Sequence, residues 1–349
     1  MSTPEPNPGP APVPAATTSV APASAEPSAP APPAGADDDA RFVDIRGLTV
    51  RYGRFQAVKG ISFTIPKGAI FGFIGPNGAG KSTTIKVLAT LLRPQGGVVK
   101  VAGIDVVAQP QKVRQRIGYV PDAFGVYDDL SVEEYLHFFA AAYRIPSGRR
   151  AGLVRDVLTL TDLNAKLDAP VDGLSRGMKQ RLAISRVLLH DAELLLLDEP
   201  ASGLDPRARI EMRELLRELG KMGKTIVISS HILHELAQLC DRIGIIEQGT
   251  MMAEGPLDEI FRRLRLMATV HVQVANPSPE LHAAIAAIPG VEGVEEQADR
   301  LSVRLASGAT AIEDFHAGLV AVGAKVRMFQ PEALDMETAF MKLTAGRTA

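Results

Sequence analysis

The sequence is short of the features that would tie it to a bilayer, an oxidising compartment or a polyanion. No apolar run approaches the roughly 18 residues needed to span a membrane. The longest candidates, AIFGFIG at 69–75 and LLLL at 194–197, have the length of buried strands. The amino terminus, MSTPEPNPGP, lacks a basic segment followed by an apolar one, so it does not read as a secretory signal. Cysteine occurs once, at Cys240, which excludes an intrachain disulfide and fits a reducing compartment and an inert, buried thiol. Charge of one sign is also lacking. The 38 basic and 40 acidic residues leave a net charge of −2, so no global field draws the chain to nucleic acid or anionic lipid. Seven arginines between Arg144 and Arg186 read as a solvated helical face. What remains is ordinary for a soluble globular protein of two or so domains: 349 residues, 46% hydrophobic and 22% charged.

The composition changes along the chain. Residues 1–40 are almost all Pro, Ala, Ser, Thr and Glu, too poor in apolar surface to offset their ordering entropy, and read as a disordered, partly polyproline-II tail. Over 41–262, buried-strand segments alternate with helical stretches: AIFGFIG, AELLLLDEP at 192–200 and KTIVISSH at 224–231. Continuous apolar strands of this kind predict a mostly parallel sheet covered on both faces. A helical subdomain is predicted at about 128–190, opening with Ser131 as N-cap and Glu134 three residues on. Residues 263–349 change register. Val270, Val272 and Val274 alternate, as do Leu301, Val303 and Leu305, and AKVRMF supplies a last strand. Leu281, Ile285 and Ile288, then Ile312, Phe315, Leu319 and Val322, form helical stripes. With a short strand at 291–296, this reads βαββαβ, a ferredoxin-like α+β domain, with a terminal helix over 333–344.

Two segments carry phosphate chemistry. GPNGAGKST, residues 75–83, follows a buried strand and opens a helix. Gly75, Gly78 and Gly80 permit a tight loop whose N–H groups converge on phosphate oxygens, and the helix N-terminus adds its positive end. Lys81 can reach the β- and γ-phosphates and Ser82 can bind Mg²⁺. LLLLDEP ends a buried strand in two carboxylates: Asp198 is placed to hold Mg²⁺ through water, and Glu199 to polarise a water in line with the γ-phosphate. A third segment, LSRGM at 174–178, puts Ser175 at a helix start, either as a plain cap or as a second phosphate-binding helix N-terminus. One polypeptide cannot readily bring both phosphate sites onto one nucleotide, so the second reading requires a partner subunit.

These segments, with SGLD at 202–205 and SSH at 229–231, occur in an order and at spacings that resemble the nucleotide-binding subunit of an ATP-binding-cassette (ABC) transporter, most of all the ATPases of type-2 exporters of drugs, antibiotics, lipids or polysaccharides. The likeness covers about 43–262 and implies an α/β P-loop cassette with an inserted helical subdomain. The C-terminal unit resembles an accessory domain of such ATPases. The resemblance implies that Gly75, Pro76, Asn77, Gly78, Ala79, Gly80, Lys81, Ser82 and Thr83 cradle ATP and that Tyr52 stacks on adenine. Ser82 and Asp198 would hold Mg²⁺, and Glu199 would be the general base. His231 would hydrogen-bond the γ-phosphate, Ser175 and Gly177 would touch the γ-phosphate held by the opposite subunit, and Asp205 would link the two sites. It further implies a homodimer or heterodimer of ATPase subunits on the cytoplasmic face of a membrane. A separate permease would dock near Phe124, Val126 and Tyr127. No nucleic-acid partner is expected. A soluble cassette acting on ribosomes or DNA is the alternative. Against it stand the single cassette and the absence of sustained heptads between the phosphate loop and LSRGM.

The sequence departs from the family pattern at three positions. Arg176 and Met178 replace the Gly and Gln of the common LSGGQ, with Arg176 expected to run along the interface to modest effect. Asp122, in YVPDAFGVYDD, stands where a glutamine is usual. Its carboxylate reads equally as a water-mediated Mg²⁺ contact and as the cap of the turn after Pro121.

Overall fold

The computed structural model describes residues 39–331 except 123–124, 126–128, 232, 264–267, 298–299 and 307–311. The tail at 1–38, the expected docking residues Phe124, Val126 and Tyr127, and the expected helix over 333–344 lie outside the described residues.

The first layer is a sheet that the alternation of strands and helices does not announce. β1 (Val43–Tyr52) and β2 (Phe55–Ile65) form a hairpin; β4 (Gly96–Val101) and β5 (Ile104–Asp105) complete an antiparallel sheet in the order β2-β1-β4-β5. Its signature is local. In β1, Val43, Ile45, Leu48 and Val50 are buried while Arg46, Gly47 and Arg51 are exposed, as expected of a sheet with one wet face.

The second layer is six-stranded, in the order β10-β9-β3-β8-β7-β6. It is built from β3 (Ile70–Ile74), β6 (Ile117–Val120), β7 (Leu194–Asp198), β8 (Thr225–Ser230), β9 (Arg242–Glu247) and β10 (Thr250–Pro256). Every pairing is parallel except β9 with β10. The LLLL run explains itself here. Leu195 and Leu197 point into one core, shared with the helical segment, and Leu194 and Leu196 into the other, shared with the antiparallel sheet. Neither face of β7 meets water, so neither parity can be polar. Under β3, the Sγ of buried Cys240 lies 2.9 Å from where a Cβ on Gly72 would sit, and burial pushes its thiol pKa up.

Helices follow the strands: α1 (Lys81–Leu88), α2 (Pro110–Arg114), α3 (Val132–Ala142), α4 (Ser147–Leu160), α5 (Arg176–Leu188), α6 (Pro206–Lys221), α7 (Leu233–Ala237) and α8 (Leu257–Arg263). The expected cap at Ser131 is present in both directions. Its Oγ accepts from the Glu134 N–H at 3.2 Å, and its own N–H donates to Glu134 Oε2 at 2.9 Å. Among the described residues, α3, α4 and α5 are the α-helices between β6 and β7, where the sequence predicts an inserted subdomain. No helix among the described residues is long and apolar enough to cross a membrane.

The C-terminal unit comprises β11 (Ala268–Val274), α9 (Pro279–Ala286), β12 (Val291–Gln297), β13 (Arg300–Leu305), α10 (Ile312–Ala321) and β14 (Val326–Pro331). Its antiparallel sheet has the order β12-β13-β11-β14. Val270, Val272, Leu281, Ile285, Leu301, Val303, Phe315 and Leu319 fill a core separate from the other two.

Candidate functional site

The site forms at the carboxyl ends of β3, β7 and β8, where parallel strands deliver their last residues to one edge. A cavity of about 370 Å³ opens there. Asn77, Gly78, Ala79, Gly80, Lys81, Ser82 and Thr83 line one wall. Two glycines of this loop are required for different reasons. Gly80 has φ +108, and a Cβ would fall 2.7 Å from the Ala57 carbonyl oxygen, so both its conformation and its neighbour exclude a side chain. Gly75 has an ordinary φ; what it needs is the close approach of the Ile246 carbonyl.

Lys81 is buried at the base of the loop. Its Nζ donates to the carbonyl oxygens of Gly75 (2.6 Å) and Pro76 (3.2 Å), and lies 3.6 Å from Glu199 Oε1. Those two residues, although outside the cavity lining, are thus the anchor that aims the lysine. Burial lowers the Lys81 pKa, against the opposing pull of the Glu199 and Asp198 carboxylates. A cation held in a part-dehydrated pocket at the start of a helix suits a multiply charged anion.

Asp198, the last residue of β7, is 4% exposed and accepts from Ser82 Oγ (2.8 Å) and Ser229 Oγ (2.6 Å). Ser229 also accepts from the Glu199 N–H at 3.0 Å. Sequence reasoning named Ser82 and Asp198 but gave Ser229 no role. Its signal was the first hydroxyl of SSH, one strand over from Asp198 in register. Among the described residues no three His, Cys, Asp or Glu side chains form a metal cluster. The Ser82 and Asp198 oxygens nevertheless match the sparse, hard-oxygen protein contribution that Mg²⁺ takes beside phosphate oxygens.

Glu199 leaves the strand in a left-handed conformation, φ +52, uncommon for a residue with a side chain and worth about 1–3 kcal/mol of strain. Two bonds fix it: its N–H is held by the Ser229 carbonyl (3.2 Å) and hydroxyl. The turn swings the carboxylate into the cavity, where Oε2 accepts from His231 Nδ1 at 2.8 Å. The strained backbone is therefore what converts a strand end into a presented carboxylate.

Two aromatic rings also border the cavity. Tyr52 and Phe55 face each other across the β1–β2 turn, 46% and 53% exposed, and both border the cavity. Phe55 escaped the sequence reading, although an exposed aromatic three residues after Tyr52 was visible. Asp122 borders the same cavity, and the phenol of Tyr119 is pushed up to about 12 by burial, with the Asp198 and Asp122 carboxylates adding to the rise.

Ser175, Gly177 and Asp205 do not line the cavity. Ser175 caps α5, accepting from the Met178 N–H at 3.3 Å, and Asp205 caps α6, accepting from the Ala208 N–H at 2.8 Å. Met178 packs against the larger core, which gives its apolar side chain a reason. The Arg176 guanidinium lies against Gly203 of its own chain.

The sequence profile of the ABC transporter family matches residues 58–202. The chain is 42% identical to the Nod factor export ATP-binding protein I of Burkholderia lata, over 61% of this chain and 70% of that one. It is 33% identical to the linearmycin resistance ATP-binding protein LnrL of Bacillus subtilis, over 85% of this chain and 96% of that one. Among solved structures, it resembles an ATP-binding subunit of an ABC transporter (31% identity, TM-score 0.58, 64% of this chain and 92% of that one). It also resembles cbiO1 of Clostridium perfringens, part of the ABC transporter complex cbiONQ (29%, TM-score 0.58, 63% and 90%).

Proposed function

The chain belongs to the ABC transporter family as an ATP-binding, ATP-hydrolysing subunit of the export type, and we propose that two copies close head to tail around MgATP to drive a separate membrane permease. The observation that carries the site assignment is convergence. The glycine loop, the buried Lys81, Ser82 with Asp198 hydrogen-bonded behind it, and the Glu199–His231 pair all converge on one cavity suited to a nucleoside triphosphate. In this reading Tyr52, joined by Phe55, stacks on the base, a use that suits exposed rings. Lys81 turns its charge from the loop carbonyls to the phosphate tail. Mg²⁺ bound at Ser82 and Asp198 would neutralise developing phosphate charge. Glu199 orients and deprotonates the attacking water, and His231, whose Nδ1 lies 2.8 Å from that carboxylate, is the residue that hydrogen-bonds the γ-phosphate. Ser175 and Gly177 complete the γ-phosphate site of the opposite subunit, and Asp205 connects the two sites.

The permease would be an integral membrane protein, with this subunit on the cytoplasmic face. The docking surface would be the 122–130 loop with its apolar Phe124, Val126 and Tyr127. The βαββαβ order and the β12-β13-β11-β14 sheet support a ferredoxin-like accessory domain, and the 299 residues aligned with LnrL exceed the length of the cassette alone. One experiment tests the assembly. The full chain, purified from membranes in mild detergent, should bring down an integral membrane protein, and a chain ended after residue 262 should still bind ATP. Ribosomal or DNA partners in place of a membrane protein would overturn the reading.

In the same reading Asp122 would belong to the nucleotide site and help hold Mg²⁺, its turn-capping role being the alternative. It borders the cavity and lies close enough to Tyr119 to help raise the phenol pKa. A carboxylate there repels metal-free ATP: two unit charges about 6 Å apart at an effective dielectric of 20 interact by roughly 3 kcal/mol before screening. Asp122→Asn is therefore expected to tighten ATP binding in EDTA and to shift the Mg²⁺ titration of turnover to higher concentration. Asn caps a turn almost as well as Asp. Superimposable curves for variant and wild type would leave Asp122 as a turn cap only.

A further inference from the structure

Arg176 occupies the first helical position of α5, where the family pattern has glycine. Helix stability gives no reason for it. The N-terminal end of a helix carries partial positive charge, and a cation there is disfavoured. Its surroundings give another reason. A Cβ built on Gly203 would lie 2.7 Å from both Cζ and Nη1 of Arg176 and 3.2 Å from Nε, so the flat guanidinium is laid over the Gly203 backbone. Gly203 also has φ +67, which independently disfavours a side chain. One residue on, a Cβ at Gly177 would lie 3.0 Å from that of Ala208, so the first turns of α5 and α6 already abut.

The segment that Arg176 covers has little slack. The Ser202 N–H donates to the Glu199 carbonyl (3.0 Å) and the Leu204 N–H to that of Ala201 (3.3 Å). Arg209 Nε holds the Leu204 carbonyl (2.9 Å), and Asp205 caps α6. At its start, Glu199 and Ser202 line the ATP cavity. The run from 199 to 205 therefore leads from this chain's own nucleotide to the guanidinium beside Ser175.

We propose that Arg176 is a positioning residue that clasps the 201–204 turn to the start of α5, so that Ser175, Gly177 and Asp205 face the partner as one rigid block coupled to the chain's own nucleotide. The proposal rests on the head-to-tail dimer reading. Without the clasp, the LSRGM segment and the turn are joined less tightly, and ordering them costs more when the dimer closes.

The test uses the full chain carrying Glu199→Gln, with ATP-dependent dimerisation followed by sedimentation velocity and ATP binding measured at dilutions where subunits stay single. Adding Arg176→Ala is expected to raise the ATP concentration for half-maximal dimerisation about tenfold, in the range of ordinary coupling effects. Single-subunit affinity should stay within about twofold, because Arg176 does not line the cavity. Arg176→Lys keeps the charge but not the planar face, and should behave as Ala. Gly203→Ala should be destabilising, and part of that loss should vanish when combined with Arg176→Ala, since the clash partner is gone. Unchanged dimerisation in Arg176→Ala, a Lys variant like wild type, or equal losses in single-subunit affinity would each overturn the clasp. Failure of the Glu199→Gln parent itself to dimerise would overturn the dimer reading and the clasp with it.

Discussion

Glu199→Gln is expected to lower ATP turnover by at least about a hundredfold while leaving ATP binding in place. Positioned general bases contribute roughly 10²–10⁴ in rate, which corresponds to about 3–5 kcal/mol of barrier. Glutamine preserves the side-chain length and offers an amide oxygen to His231 Nδ1, now 2.8 Å from Oε2, so the cavity keeps its shape. It cannot take a proton from water. It also removes the negative charge 3.6 Å from Lys81 Nζ, leaving that cation freer to pair with phosphate. Turnover read as phosphate release should collapse, and nucleotide affinity read by equilibrium binding should hold or improve. Hydrolysis at the wild-type rate would remove Glu199 from the base role.

Lys81→Ala and Ser175→Arg subunits should each be inactive alone and recover activity when mixed. Lys81 belongs to the cavity and Ser175 does not. If each ATP is gripped by the loop of one chain and the α5 start of the other, a mixed dimer contains one doubly broken site and one intact site. Random pairing of equal amounts makes half the dimers mixed and restores about a quarter of the sites in a two-fold assembly. Recovery to that order, measured as phosphate release against each variant alone, fits a shared site. Two variants that stay dead in every ratio would argue against sharing, or against independent firing of one site. A strictly monomeric wild type with full activity would rule out the shared site altogether.

Much of the cavity lining was legible because phosphate chemistry asks for contiguous residues. A loop that must turn N–H groups toward one point, then start a helix, leaves a local imprint at 75–83. Asp198 and Glu199 were legible only in company: two carboxylates at a strand end often mark no more than a solvated turn, and the phosphate loop in the same chain is what gives them a chemical reading. What escaped was set by tertiary register. Ser229 matters because β8 lies beside β7 with Ser229 opposite Asp198, and no local pattern states that neighbour. Phe55 matters because a two-residue turn sets it across from Tyr52. The antiparallel sheet was missed because β1 and β2 alternate only in part. Bulges in their pairing, between Ile45 and Leu48 and again between Val50 and Arg51, break the period that would have declared them. The left-handed Glu199 backbone had no signal in residue type at all.

Cys240 has a practical consequence. Maleimides and other thiol reagents attack the thiolate. This sulfur is both buried and held in its protonated form by that burial, so at neutral pH the native chain should be nearly blank to them. A cysteine introduced at the surface, for instance in place of the 52% exposed Ile210 on α6, would carry a dye or spin label with little competing background. Distances between two such probes could then be followed through a catalytic cycle in the otherwise native sequence, with no cysteine-free variant to build first.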